Sequence, residues 1–280
     1  MQLEERKLKE IEHSDRRRRI VTGYEYETDC GVNGAASEFI TDEQGFAEHF
    51  SNTKFYSITR SSVAYRDRLL YDGIQGCTAL DYCCGNGEIG LEMAARGAAA
   101  VHGIDISPVA IDNARRLAAR NGVAAQCRFE VMDAEKTDFA DDTFDVVHEY
   151  GALHHLELNA AFRELARIVK PQGCVICTEA LRHNPLIHHY RHRTPRLRTA
   201  WEVEHILGAP EIYSGLQWFG EIRVRFFHLA ALGAVPFRKT GLFGGLLWFL
   251  DGVDNLLLRI PGLGKYAWIA VILYSKPKKD

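Results

Sequence analysis

Between residues 77 and 181, short apolar runs alternate with amphipathic runs that open on glycine or proline, and this constrains the fold more than any other feature. CTALDYC (77–83) reads as a strand, and GNGEIGLEMAARGA (85–98) reads as a glycine turn entering a helix. AVHGIDIS (100–107) is a second strand. PVAIDNARRLAARNG (108–122) is a helix, with Pro108 in its first turn and Gly122 after its end. CRFEVMD (127–133) and FDVVHEYG (144–151) are the third and fourth strands. NAAFRELARIVKPQG (159–173) is a helix stopped by Pro171 and Gly173, and CVICTEAL (174–181) is the fifth strand. Strands separated by helices need crossovers and cannot pair through tight turns. The chain is therefore α/β, with a doubly wound, mostly parallel sheet.

The flanks are less regular. Residues 2–20 have helical composition and high charge. Their Arg16–Arg19 run reads as a solvated face, with an anion-docking patch as the sharper alternative. Residues 38–72 read as two helices preceding the main domain. After the fifth strand, residues 182–215 are rich in His, Arg and Pro. Strands are expected near 221–228 and within 266–277, pairing as a hairpin at one sheet edge with 233–265 inserted between them. This divides the chain into a helical lid (1–72), a cofactor-binding core (73–181), and substrate-cap insertions with the last two strands (182–280). GLFGGLLWFL (241–250) is too short to span a bilayer, which takes about 20 residues. It reads as core, with an interfacial helix or an apolar lid over a greasy substrate as alternatives.

Composition narrows the function. A net charge of −3 gives no support to nucleic-acid binding. Seven cysteines, an odd number, and no apolar leader point to reduced thiols and a cytoplasmic location. Cys174 and Cys177 form a CxxC, but on a strand residues three apart face opposite ways, so no metal site is expected there. His188, His189 and His192 lack the usual cysteine or carboxylate partners of a metal centre.

The chemistry concentrates at strand ends. Gly85, Gly87 and Gly90 form GxGxxG between a strand and a helix, where the backbone can approach a ligand closely. Asp105 closes the second strand, 18 residues after Gly87, and can accept from both hydroxyls of a ribose. Asp81 closes the first strand; it would repel a pyrophosphate and suits a ligand with an ammonium or sulfonium charge. Asp133 closes the third strand, where it can accept an adenine amine. The chain ends in two strands where a dinucleotide fold would need a second mononucleotide-binding half.

Five ordered motifs resemble one family: LDYCCGNGEIG (80–90), HGIDIS (102–107), VMDAE (131–135), FDVVHEYGALHHL (144–156) and RELARIVKPQGCVICTE (163–179). The chain is similar to the class I S-adenosylmethionine-dependent methyltransferases of the small-molecule kind. The resemblance implies a Rossmann-like sheet of seven strands, the last one antiparallel, and S-adenosylmethionine as cofactor. It implies that Asp81, Gly85 and Gly87 line the methionine moiety and that Asp105 and Ile106 hold the ribose and adenine. Asp133 and Ala134 would meet the adenine edge, and Glu149 would sit near the sulfonium and the substrate. Cys83 stands where the family has glycine, so its Cβ is expected to narrow the pocket. Tyr65 or Tyr56, in the segment 55–70, would cover the methionine end.

For proton transfer the candidates are His155, His154 and Glu149. The bland reading of the histidines is packing under the cofactor or helix capping. Arg191, Arg193, Arg196 and Arg198 suggest an anion site, against a plain Arg/Glu-rich surface helix. The expected partner is a small, partly apolar methyl acceptor, taken at oxygen, nitrogen or carbon. An NAD(P)-dependent oxidoreductase and a non-catalytic protein that kept the fold stay open. So does a homo-oligomer formed through the apolar C-terminal region.

Overall fold

A computed structural model of the chain describes residues 4–23 and 37–279. Cys30 lies outside the described residues; the other six cysteines are all free thiols. Seven strands form one sheet: β1 (Thr78–Tyr82), β2 (Ala100–Asp105), β3 (Cys127–Val131), β4 (Phe144–Tyr150), β5 (Val169–Ala180), β6 (Phe219–Phe227) and β7 (Ile269–Pro277). Their order is β3-β2-β1-β4-β5-β7-β6. The first five run parallel, and β7 is antiparallel to both β5 and β6. The chain builds outward from β1 to β3, then returns to place β4 on the other side of β1. In such sheets the crevice outside the carboxyl ends, at this reversal, is where ligands bind.

The helices are α1 (Glu5–Ile20), α2 (Glu43–His49), α3 (Thr53–Tyr56), α4 (Arg60–Tyr71), α5 (Glu88–Ala95), α6 (Pro108–Arg120), α7 (Leu158–Ile168), α8 (Pro185–Arg193), α9 (Ala200–His205), α10 (Ala209–Ser214) and α11 (Phe243–Leu257). Local chemistry sets their starts. The Ser107 hydroxyl accepts from the Ala110 amide at 3.0 Å with Pro108 next to it, and Asn184 caps α8 ahead of Pro185 in the same way. Glu157 caps α7 through the amides of Asn159 and Ala160.

Strand alternation sorts the core into two layers. Leu80, Tyr82, Val147, Val175 and Cys177 face α7, packing with Phe162 and Leu165. Ala79, Val101, Val146, Ile176 and Val271 face the other way, with Leu70 and Met93. Cys177 belongs to the first layer and Cys174 borders the second, so the CxxC pair does point to opposite faces.

Two expectations need correction. The helix expected over 159–173 ends at Ile168, and Pro171 lies inside β5, beside the register shift between Phe144 and Val146. Proline is tolerated there because the irregularity already breaks the ladder. The late strands pair antiparallel at one sheet edge as expected, with β6 outermost and β7, whose run IAVIL is apolar on both faces, next to β5. The region 38–72 is cut into a short 3-10 turn, α2, α3 and α4 rather than two helices.

Candidate active site

A cavity of about 470 Å³ opens at the carboxyl ends of the parallel strands. Asp81 from β1, Asp105 from β2, and Asp133 just beyond β3 all line it. The turn after β1 is held by these acids. Asp81 Oδ2 accepts from the Gly90 amide at 2.9 Å, and Asp105 accepts from the amides of Gly85 (3.0 Å) and Ser107 (2.9 Å). Burial pushes the Asp105 carboxyl up, against the pull of Arg18 and the two amides.

The glycines do different jobs. Gly85, at φ +55°, lines the cavity. Gly87, at φ +81°, does not line it; a Cβ there would sit 2.7 Å from the Phe129 ring and 2.8 Å from Ala114. Gly87 therefore serves the close packing of turn on helix and sheet. Cys83 lines the cavity with a left-handed φ of +59°, which is why glycine is the easier residue at this point. Burial pushes the Cys83 thiol well up, so it is no thiolate.

Helix α1 covers the cleft. Lys7 reaches Asp133 at 2.7 Å and Glu135 at 2.8 Å, and Arg6 reaches Glu135 at 2.6 Å. Glu10 meets His155 Nδ1 at 2.9 Å and accepts from the Thr199 hydroxyl at 2.6 Å. The Arg18 guanidinium lies against Gly85, while Asn113 donates to the Arg18 carbonyl. The Arg16–Arg19 run is thus split: Arg16 and Arg19 are exposed, and Arg17 and Arg18 turn into the cavity.

Ile106 and Ala134 line the cavity, as do His154 and His155. His154 Nδ1 meets Glu179 Oε2 at 2.7 Å; burial pushes this imidazole down to about 3, so it is neutral. Burial works against charge on His155 as well, but the Glu10, Glu202 and Glu179 carboxyl groups together outweigh it and the net shift is upward. Glu149 and Tyr65 are placed differently from expectation. Glu149 is fully buried and does not line the cavity; its carboxylate accepts from the amides of Ala152 and Leu153 and fixes the turn that carries the histidines. Burial and the neighbouring Glu179 raise its carboxyl well above the usual range. Tyr65 points away, onto Phe227 (5.6 Å between centroids) and Arg225. Helical phase is the reason: one residue on, Arg66 faces the cavity, as Tyr56 does from α3.

Sequence reasoning missed His148, Thr178 and Glu179. His148 is the register partner of Asp81 and contacts it at 3.2 Å. Its Nε2, Thr178 Oγ1, Glu88 Oε1 and Asn52 Oδ1 are buried and without a partner, and all four residues line the cavity. Such atoms are costly unless a bound molecule satisfies them. They fit a ligand rich in hydroxyls, amines and charge. Arg191 and Arg198 turn inward, Arg191 donating to the Leu181 carbonyl and Arg198 pairing with Glu202, whereas Arg193 and Arg196 stay exposed. Among the described residues no group of His, Cys, Asp and Glu is arranged to hold a metal ion.

Fold and site together define a Rossmann-like domain with an acid-lined cavity at its strand ends. Residues 79–173 match the family model described as "Methyltransferase domain". The chain is 35% identical over 99 residues to the 27-O-demethylrifamycin SV methyltransferase of Amycolatopsis mediterranei, covering 35% of this chain and 36% of that one. It is 26% identical over 136 residues to the sterol 4-C-methyltransferase of Caenorhabditis elegans, covering 48% and 40%. The chain thus spans well under half the length of these curated relatives. Its fold matches the geranyl diphosphate C-methyltransferase of Streptomyces coelicolor with a TM-score of 0.55 at 13% identity, over 98% of this chain and 99% of that one. Residues 79–173 are thus similar to the methyltransferase domain, and the chain as a whole shares the fold.

Proposed function

We propose that the chain transfers a methyl group from S-adenosylmethionine to a small, partly apolar molecule. One observation carries this reading: three acids from three successive strand ends, with the Gly85 turn between them, line one covered cavity. Asp105 would take the ribose hydroxyls, having lone pairs left after its two backbone bonds. Asp81, Cys83 and Gly85 would lie along the methionine part, with His148 Nε2 and Glu88 Oε1 as further partners. Asp133 and Ala134 would meet the adenine edge, and Lys7 would hold Asp133 in place. When bound, this cofactor supplies a methyl carbon already activated by its sulfonium.

The protein's task is alignment and exclusion of water. Helix α1 closes one side of the cavity. Tyr56 and Trp268 form an apolar wall, with ring centroids 5.5 Å apart. An oxygen acceptor needs its proton removed, and we assign that to His155: its imidazole lines the cavity with Glu10 at 2.9 Å from Nδ1, where the carboxylate stabilises the cation that forms, whereas burial makes His154 a poor proton acceptor. The relatives are, by their names, methyltransferases of 27-O-demethylrifamycin SV and of sterols, and the wall of Tyr56 and Trp268 here is apolar. That supports a hydroxylated, largely apolar acceptor here, a molecule of secondary metabolism.

The test uses methyl-labelled S-adenosylmethionine with a panel of hydroxylated polyketides, quinols and sterols. Label is expected in the organic extract with at least one acceptor. His155→Gln is expected to lower kcat by about 10²-fold or more while cofactor affinity stays the same. No label with any acceptor, together with turnover of NADH, would contradict the reading.

A further inference from the structure

The outer face of α11 plays no part in the site. At 100° per residue, Leu242, Trp248, Phe249 and Leu256 fall within one arc of about 120°, with Gly245 and Gly252 between them. Trp248 is 80% exposed, Leu242 70%, Leu256 68% and Phe249 59%. The opposite face is spent on the protein. Phe243, Leu247 and Leu250 pack into the layer containing Ile58, Trp268 and Ile269. The stretch 241–250 is therefore core on one side only. A large apolar stripe left in water marks an interaction surface.

Charge indicates what covers it. The segment 236–266 contains two acids, Asp251 and Asp254, and both turn inward. Asp254 accepts from the amides of Leu229, Ala230 and Ala231, and Asp251 accepts from the Ser61 hydroxyl at 3.2 Å. The segment's four cations, Arg238, Lys239, Arg259 and Lys265, stand just before and after α11 in the chain, and all but the half-buried Arg238 are exposed. An aromatic and aliphatic stripe with cations before and after it, in a chain whose net charge is −3, is a local match for an anionic apolar surface. Two copies facing each other would bring two sets of these cations together, which disfavours self-association.

We propose that this face docks α11, lying flat, on a bilayer that contains anionic lipids. Helix α11 has 15 residues, and among the described residues no helix is long and apolar enough to cross a membrane. Its inner face shares a buried layer with Trp268 and Ile269, which line the cavity. The proposal rests on the stripe and its charges, and its test reads lipid binding, not methyl transfer.

The experiment is co-sedimentation of the full chain with vesicles of phosphatidylcholine alone, or with about one third phosphatidylglycerol. Wild type is expected to bind the anionic vesicles, and less so in high salt. W248E/F249E, at exposed positions, should keep the wild-type melting temperature and bind at least about tenfold more weakly. Arg238→Gln with Lys239→Gln should weaken binding in anionic vesicles only. Equal binding by wild type and W248E/F249E, or no binding by either, would overturn the proposal. So would a wild-type dimer in sedimentation velocity that W248E/F249E dissolves, because the stripe would then belong to a second copy.

Discussion

Cys83 and Gly87 stand four residues apart with left-handed backbones, but the space around them differs. At Gly87 a methyl group would collide with Phe129 and Ala114, so Gly87→Ala adds overpacking to backbone strain. We expect it to destabilise the fold by about 3 kcal/mol, read as a shifted urea midpoint. At Cys83 the strain is already present and the thiol faces the cavity, so Cys83→Gly is expected to cost nothing and to gain up to about 1 kcal/mol. A large loss at Cys83, or none at Gly87, would contradict these assignments. Residue identities told part of this from sequence alone. Asp81, Asp105 and Asp133 were legible because strand ends are marked by turns. His148 was not, because its link to Asp81 depends on the register of β1 against β4, which local pattern does not encode. Tyr65 was misplaced because helical phase fixes faces only once the helix is docked.

At the scale of elements, α1 is the least expected feature. Its charged sequence reads as a solvated helix, yet Arg6, Lys7, Glu10 and Arg18 all turn onto the cleft. The signal was hidden because salt bridges to distant acids leave no periodic apolar stripe in α1. The Glu10–His155 contact is open to a pH test. His155 is raised above its ordinary 6.5, and Glu10 is held below its ordinary 4.5 despite burial. The His155 contribution is fully present below 6.5 and is lost as pH rises through the raised value. The Glu10 contribution is present above 4.5 and is lost as pH falls through the lowered value. The melting temperature of wild type should therefore exceed that of His155→Gln most between those limits, with the gap closing on the alkaline side. A gap that widens with rising pH would show that the contact is not ionic. The seven-stranded, mostly parallel sheet and the pairing of the late strands were anticipated. The insertion of β7 between β5 and β6 was not, because an apolar run shows burial without naming its neighbours.

For the whole molecule, the sheet, the acid-lined cavity and the covering helix form one arrangement, and α11 faces away from it. The central claim is that this cavity holds an adenosyl cofactor. Calorimetric titration with S-adenosylhomocysteine, and with NADH as control, tests it most directly, using wild type and Asp105→Ala. Melting curves show whether the variant stays folded, since Asp105 also holds the Gly85 amide. Binding of S-adenosylhomocysteine in the micromolar range, weakened at least about tenfold in folded Asp105→Ala and absent for NADH, is the predicted result. Binding of NADH with none of S-adenosylhomocysteine would contradict the claim.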